Sequence, residues 1–109
     1  MTATTTNAKN DLIVKVAEDK LAVDIRLLPI REEAGICDYF IVMTGRNRIH
    51  TQAIADAITQ KLAEADMAPE TTEGLRDGEW ILLDCGETIV HIFTQSGREF
   101  YDLDDLWSE

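Results

Sequence analysis

The fold of this chain is decided by the stretch Asp38-Tyr39-Phe40-Ile41-Val42-Met43-Thr44-Gly45. Its residues 39–44 are apolar throughout and rich in aromatic and β-branched side chains, without the polar alternation of a half-exposed strand. Such a run predicts a central strand that is buried on both faces of a sheet. Gly45 ends the strand, and a helical pattern follows it directly. The stretch therefore places a buried strand just before the longest helix.

Two helices are predicted from apolar residues at helical spacing. The longer one runs from about residue 47 to residue 65, with Asn47 as its N-cap. Its apolar stripe consists of Ile49, Ala53, Ile54, Ala57, Ile58 and Leu62. The first helix is predicted from Asp11 to Leu21, with Asn10 as its cap. We expect both helices to cover one face of the sheet.

Further strands are predicted on both sides of the central one. Over residues 23–27 apolar odd-numbered positions alternate with polar ones, which indicates a half-buried strand. Pro29 closes this strand or lies at a sheet edge. Residues 80–84 and 88–93 flank a three-residue connection that contains a glycine, which is typical of a hairpin. The acidic connection 66–78 leaves room for one more short strand.

The order of these elements defines the fold class. Helix, strand, strand, helix, hairpin and a short C-terminal helical turn over residues 98–107 indicate an α/β (α+β) fold. We expect a mixed β-sheet of about five strands with two main helices. No repeat and no Pro/Gly-rich linker interrupts the chain. The prediction is therefore a flexible tail over residues 1–9 and a single domain over residues 10–109.

Composition argues against a membrane or metal protein. No stretch approaches the ~20 apolar residues of a membrane span, and the Thr-rich start lacks the apolar core of a secretory signal. We therefore expect a cytoplasmic protein without a membrane partner. Cys37 and Cys85 lack CxxC spacing, whereas a metal site needs about four such ligands. Both are interpreted as small buried thiols, and no metal is expected.

Charge is distributed unevenly along the chain. Residues 1–63 carry eight acidic and eight basic side chains, whereas residues 64–109 carry thirteen acidic and two basic ones. The second half therefore holds the whole net charge of −11. This argues against direct contact of that half with DNA or RNA, whose phosphates need Lys and Arg. It suits a basic protein partner or repulsion of RNA, and equally a merely solubilising surface.

No pair of residues predicts nucleophilic catalysis. His50 opens the long helix and is interpreted as a polar helix residue. Nothing in the spacing ties it or His91 to a cysteine or serine nucleophile. His91 lies between the apolar residues Val90 and Ile92, so its side chain should project from the sheet face opposite to theirs. That face is either a recognition surface or exposed to solvent.

The turn Thr44-Gly45-Arg46-Asn47 is a candidate anion site, because it leads from a strand into a helix N-terminus. It lacks the spacing of a P-loop or a dinucleotide fingerprint, so a tight turn also accounts for it. Asp102, Asp104 and Asp105 are close in sequence, but no acid on a neighbouring strand can be named to complete a divalent-ion site with Asp102 and Asp104. A nucleotidyltransferase-type enzyme that binds nucleotide and Mg²⁺ near Gly45 is the alternative hypothesis. No catalytic residue and no cofactor are predicted.

Aromatic side chains are concentrated late in the chain. Five of the seven are Trp80, Phe93, Phe100, Tyr101 and Trp107. Trp and Tyr are favoured in cores and also at binding hot spots. The residues alone thus indicate a small α/β domain with an acidic second half and no evident catalytic machinery.

Three motifs follow one another in a fixed order. The first is the run over residues 38–56, the second joins residues 78–84 to Val90-His91-Ile92-Phe93, and the third is the ending Arg98-Glu99-Phe100-Tyr101-Asp102-Leu103-Asp104-Asp105-Leu106-Trp107. Together they resemble the ribosomal silencing factor (Iojap-like) family. The match extends from about Lys9 to Trp107, nearly the whole chain, and three motifs in one order make it specific.

The resemblance implies a fold and a function. The expected fold has a nucleotidyltransferase-like core without the catalytic acids. The expected activity is not enzymatic. A family member docks on the large ribosomal subunit through a ribosomal protein of the L-fourteen family and sterically blocks joining of the small subunit, which represses translation. Relatives in organelles act in ribosome assembly, and isolated members often form homodimers.

The resemblance also assigns a docking surface to the late hairpin and the C-terminal motif. Carried over to this chain, its residues are Trp80, His91, Phe93, Arg98, Phe100, Tyr101 and Trp107. The sequence departs from the family at Gln95-Ser96-Gly97, where a proline and an apolar residue are usual. Gly97 is therefore expected to make the approach to Arg98 more flexible.

Overall fold

The structure is a computed structural model that describes residues 8–30, 35 and 37–101. Within these residues the helices are α1 (Ala8–Asp19), α2 (Arg48–Glu64) and α3 (Gln95–Tyr101). The strands are β1 (Val23–Pro29), β2 (Tyr39–Gly45), β3 (Thr71–Glu73), β4 (Trp80–Asp84) and β5 (Thr88–Thr94). The predicted mixed five-stranded sheet with two main helices is thereby confirmed.

The five strands form one sheet in the order β1-β2-β5-β4-β3. β2 and β5 pair in parallel, and the other three pairings are antiparallel. A parallel pair needs a crossover, which here contains α2. β2 lies inside the sheet with every residue after Tyr39 buried, as its apolar run predicted. β1 is an edge strand that ends at Pro29, where a missing N–H is tolerated.

The sheet carries a different core on each face. α1 and α2 cover one face, as expected, and pack there on alternate residues of β2, β4 and β5. This cluster contains Ile13, Val16, Ala17, Ile41, Met43, Ile54, Ala55, Ile58, Leu62, Ile81, Leu83, Cys85, Val90 and Ile92. The opposite face holds a smaller cluster of Leu28, Ile30, Phe40, Val42 and Phe93, edged by half-buried residues that include Trp80. No helix among the described residues is long and apolar enough to cross a bilayer.

The α2 stripe was predicted one position off at its start. Ile49 is 78% exposed and Ala53 is also exposed, whereas His50 is buried. Counting back from Leu62 in steps of four reaches position 50 rather than 49, so the helix turns His50 towards the sheet. The Asn47 cap is confirmed, because its Oδ1 accepts a hydrogen bond from the His50 N–H at 2.8 Å.

α1 begins at Ala8, three residues before the predicted start. Asn10 is therefore not a cap. It lies inside the helix, is 4% exposed, and accepts a hydrogen bond from the Thr88 hydroxyl. A buried amide needs such a partner, and this bond ties α1 to the start of β5.

The alternation predicted in β1 is interrupted. Asp24 has φ +54°, and the pairing with β2 shifts register between Val23 and Arg26. Such a bulge reverses which side chains face inwards. Leu27 is consequently 42% exposed, and Leu28 is buried instead.

Candidate docking site

An aromatic cluster lies on the sheet face that the two main helices leave open; we use this name for Trp80, His91, Phe93 and Tyr101. The Trp80 ring centroid lies 4.3 Å from that of Tyr101, 5.1 Å from that of Phe93 and 5.9 Å from that of His91. Trp80 is thus the centre of the cluster. Trp80 meets residues 11, 13 and 21 positions further along the chain, because β4 pairs with β5 and α3 follows β5.

Strand register brings these side chains together. One row across the sheet aligns Trp80, Phe93 and Thr44, and the next aligns Glu73, Leu82 and His91. Side chains two positions apart on a strand share a face, so both rows project to the same side. α3 follows β5 directly and brings Tyr101 over the first row.

The residues that the resemblance assigned to docking lie at different depths. Phe93 is fully buried, His91 is 3% exposed and Arg98 is 8% exposed. Phe100 is 80% exposed, Tyr101 is 40% exposed and Trp80 is half-buried. Trp107 lies outside the described residues. The accessible part of the site is therefore formed by Phe100 and Tyr101, the last two residues of α3, and by the exposed part of Trp80.

His91 does project from the opposite sheet face, but it is buried and meets neither solvent nor an open surface. Its Nδ1 accepts a hydrogen bond from the Trp80 indole N–H at 3.0 Å. The acceptor nitrogen must be unprotonated, which leaves the proton of the neutral ring on Nε2. Burial lowers the pKa of His91 to about 4, so the ring stays neutral near pH 7.

Arg98 holds α3 against the sheet. Its Nη1 donates a hydrogen bond to the Thr44 hydroxyl at 2.8 Å, at the end of β2. A buried guanidinium requires such partners, and this one joins α3 to a central strand. Arg98 is thus a supporting residue of the site in this structure.

Gly97 lies inside α3 and is buried, contrary to the expected flexibility. A Cβ at this position would lie 2.9 Å from the Glu79 carbonyl oxygen and 3.3 Å from the Phe93 ring. The glycine therefore permits close approach of the helix to β4 and β5 rather than loosening the chain.

A shallow pocket opens beside the indole. It is lined by Glu73, Gly74, Trp80 and Leu82, and its volume is about 220 Å³. Gly74 has φ +78°, and a Cβ there would clash with the Trp80 carbonyl oxygen, so only glycine fits. An indole and a carboxylate in one pocket attract a cationic side chain. The spacing of the sequence did not reveal Glu73, because β3 has three residues and no apolar pattern.

The corner at Gly45 is filled by the chain's own side chains. The Arg46 N–H donates to His50 Nδ1 at 2.9 Å, and His50 Nε2 lies 2.7 Å from the Lys20 carbonyl oxygen. The Thr51 hydroxyl donates to the Gly78 carbonyl at 2.6 Å. His50, interpreted from the sequence as an ordinary polar helix residue, instead links the turn to the end of α1.

The two cysteines and the acidic residues form no reactive or metal-binding group among the described residues. Cys85 is buried, as predicted, and burial raises its pKa to about 11. Cys37 is half-buried rather than buried, and burial also raises its pKa. Over the described ranges, no group of three or more His, Cys, Asp or Glu side chains is arranged to hold a metal ion. Asp102, Asp104 and Asp105 lie outside those ranges.

Comparison with known proteins gives a consistent set of similarities. The model of the family described as "Ribosomal silencing factor during starvation" matches residues 3–109. Ribosomal silencing factor RsfS of Bacillus subtilis is 32% identical over 105 residues, which cover 94% of this chain and 89% of that protein. The chloroplastic protein Iojap of Arabidopsis thaliana is 30% identical over 95 residues, which cover 87% of this chain and 40% of that longer protein.

A solved structure has the same fold. The crystal structure of a protein from Chromobacterium violaceum superposes with a TM-score of 0.88 at 30% identity. The superposition covers 93% of this chain and 85% of that one.

Proposed function

This chain belongs to the ribosomal silencing factor family, and from this premise we propose that it docks on the large ribosomal subunit through the exposed side of its aromatic cluster. The docked protein then blocks joining of the small subunit and represses translation. We propose that it does so in the cytoplasm, by steric blockade and without catalytic turnover. Affinity and bulk are sufficient for such a mechanism.

The observation that carries this proposal is the arrangement of exposed aromatic rings on a buried base. Phe100 and Tyr101 are exposed, and their rings meet at a centroid distance of 5.0 Å. The buried Phe93 ring stacks on that of Tyr101 at a centroid distance of 5.8 Å. Binding energy at protein interfaces is concentrated in aromatic anchors of this kind. A standard interface of ~800 Å² per partner is within reach of a domain of this size.

The partner that we propose is a ribosomal protein of the L-fourteen family. The pocket beside Trp80 supports a contact with a basic side chain, because it combines the indole with the Glu73 carboxylate. The net charge of the second half of the chain favours the same partner chemistry, and it also repels the RNA of an approaching small subunit. Homodimerisation through this surface would compete with docking.

Cosedimentation with separated ribosomal subunits tests this proposal. We expect the purified protein to pellet with large subunits and not with small ones, and to reduce the yield of joined ribosomes when added before mixing. If the protein binds neither subunit at roughly 10 μM, the dissociation constant is weaker than that of typical specific complexes, and the proposal is overturned. Calorimetric titration with nucleoside triphosphate and Mg²⁺ would then test the nucleotidyltransferase alternative at Gly45.

Neutralising the pocket carboxylate should weaken docking modestly. For Glu73→Gln we expect affinity for large subunits to fall about 2- to 5-fold, which is the contribution of one exposed ion pair. The loss should be larger at low salt than at high salt, because salt screens exposed charges. Asp56→Asn is the matched control, since Asp56 is an exposed acid on α2. Equal losses for both variants would mean that overall charge, not the pocket, attracts the partner.

A further inference from the structure

We propose that His91 is a positioning residue of the docking site, which touches no partner but fixes the orientation of the Trp80 indole. This inference rests on the proposed function only in treating the indole as part of the docking surface. The resemblance assigned His91 to the contact surface itself, whereas the structure buries it behind the indole.

The hydrogen bond between the two rings defines one orientation of the indole. Trp80 is the first residue of β4 and is half-buried, so the sheet alone does not fix its ring. The χ2 torsion of a tryptophan is broad and allows the ring to turn over. The indole N–H only donates, and His91 Nδ1 lies 3.0 Å from it. Turning the ring over would break this bond and present the opposite face of the indole to Tyr101.

The imidazole is itself held in place. The Phe40 ring meets it edge-on at a centroid distance of 4.4 Å, and the Phe93 ring lies nearly parallel to it at 6.3 Å. Leu82 is its neighbour across the strand pair. A side chain packed on three sides is a rigid acceptor, and a rigid acceptor transmits its position to the donor.

Stability alone does not explain a histidine at this position. His91 Nε2 is buried and has no hydrogen-bond partner among the described residues. Burying a polar group without a partner destabilises the folded state, and an apolar side chain of similar size avoids this cost. Among the described residues, the hydrogen bond that an apolar side chain could not make is the one that His91 accepts from Trp80. The geometry therefore points to orientation of the indole as the role of this ring.

A double-mutant cycle on docking separates positioning from general support. We expect His91→Leu to lower affinity for large subunits about 5-fold, which corresponds to about 1 kcal/mol, the net value of one hydrogen bond. In a Trp80→Phe chain, which has no indole N–H, His91→Leu should have no further effect. His91→Asn should retain most of the wild-type affinity, because the asparagine Oδ1 can replace His91 Nδ1 as the acceptor for the indole N–H. A structural role instead predicts equal losses by His91→Leu in both chains, and that result would overturn the proposal.

The indole resonance provides a readout that does not involve the ribosome. In ¹⁵N-labelled protein, the Trp80 Nε1–H resonance should move upfield in His91→Leu and stay near its wild-type position in His91→Asn. Trp107→Phe serves only to assign the two indole signals. An unchanged Trp80 resonance in His91→Leu would refute the positioning role, whereas a shifted resonance without any docking would refute the proposed function alone. Should His91→Leu fail to fold, His91→Met supplies the same comparison.

Discussion

Tyr101→Ala is expected to lower the affinity of the protein for large ribosomal subunits about 10- to 30-fold, which corresponds to about 1.4–2 kcal/mol and is typical of an aromatic hot spot. The ring is 40% exposed and lies 4.3 Å from the Trp80 ring, so it offers one face to a partner and the other to the cluster. Fold stability should fall less than for a fully buried aromatic residue, because part of the side chain is already in solvent and Arg98 still joins α3 to β2.

Cosedimentation over a series of protein concentrations measures this loss. Tyr39→Ala is the matched control, since it makes the same side-chain change on a half-buried tyrosine whose side chain alternates with Phe40 and so faces the other side of the sheet. Tyr101→Phe keeps the ring and should retain most of the affinity. If Tyr101→Ala and Tyr39→Ala bind alike, the aromatic cluster is not the docking surface.

Mild acid is expected to destabilise the fold through His91. Burial lowers the pKa of this ring to about 4 from an ordinary value of 6.5. Between these values the unfolded chain binds a proton at position 91 and the folded chain does not, so protons favour unfolding. His91 should therefore leave stability unchanged above about pH 6.5 and lower the free energy of unfolding by about 3 kcal/mol as the pH falls to about 4.

Denaturant titrations between pH 7.5 and about 4, with the wild type and His91→Asn side by side, isolate this effect. The variant has nothing to titrate at position 91, so the difference between the two curves should change by about 3 kcal/mol across the range. Glu87, whose pKa is lowered by its own backbone N–H and by Lys9, contributes equally to both proteins. Parallel curves would mean that the folded protein accepts a proton on His91 without cost.

Much of the fold was predictable because its signals are local. The buried run at residues 39–44, the hairpin around Gly86 and the Asn47 cap each depend on neighbours within about one turn or one strand pair. For the site, the sequence predicted which residues belong to it but not which of them are exposed. The motifs identified Trp80 and Tyr101, but they gave the buried Phe93, His91 and Arg98 the same role as the exposed Phe100.

By itself the sequence determined the order of the elements, the mixed α/β class, the family and the acidic character of the second half. Tertiary structure alone decided that His50 rather than Ile49 faces the sheet, that Asn10 pairs with Thr88, and that Glu73 lies beside Trp80. The physical reason is the same in each case. Burial and hydrogen bonding depend on which distant segments meet, and strand register and helix rotation set those meetings, whereas a pattern along the chain reports only the preferences of neighbouring residues.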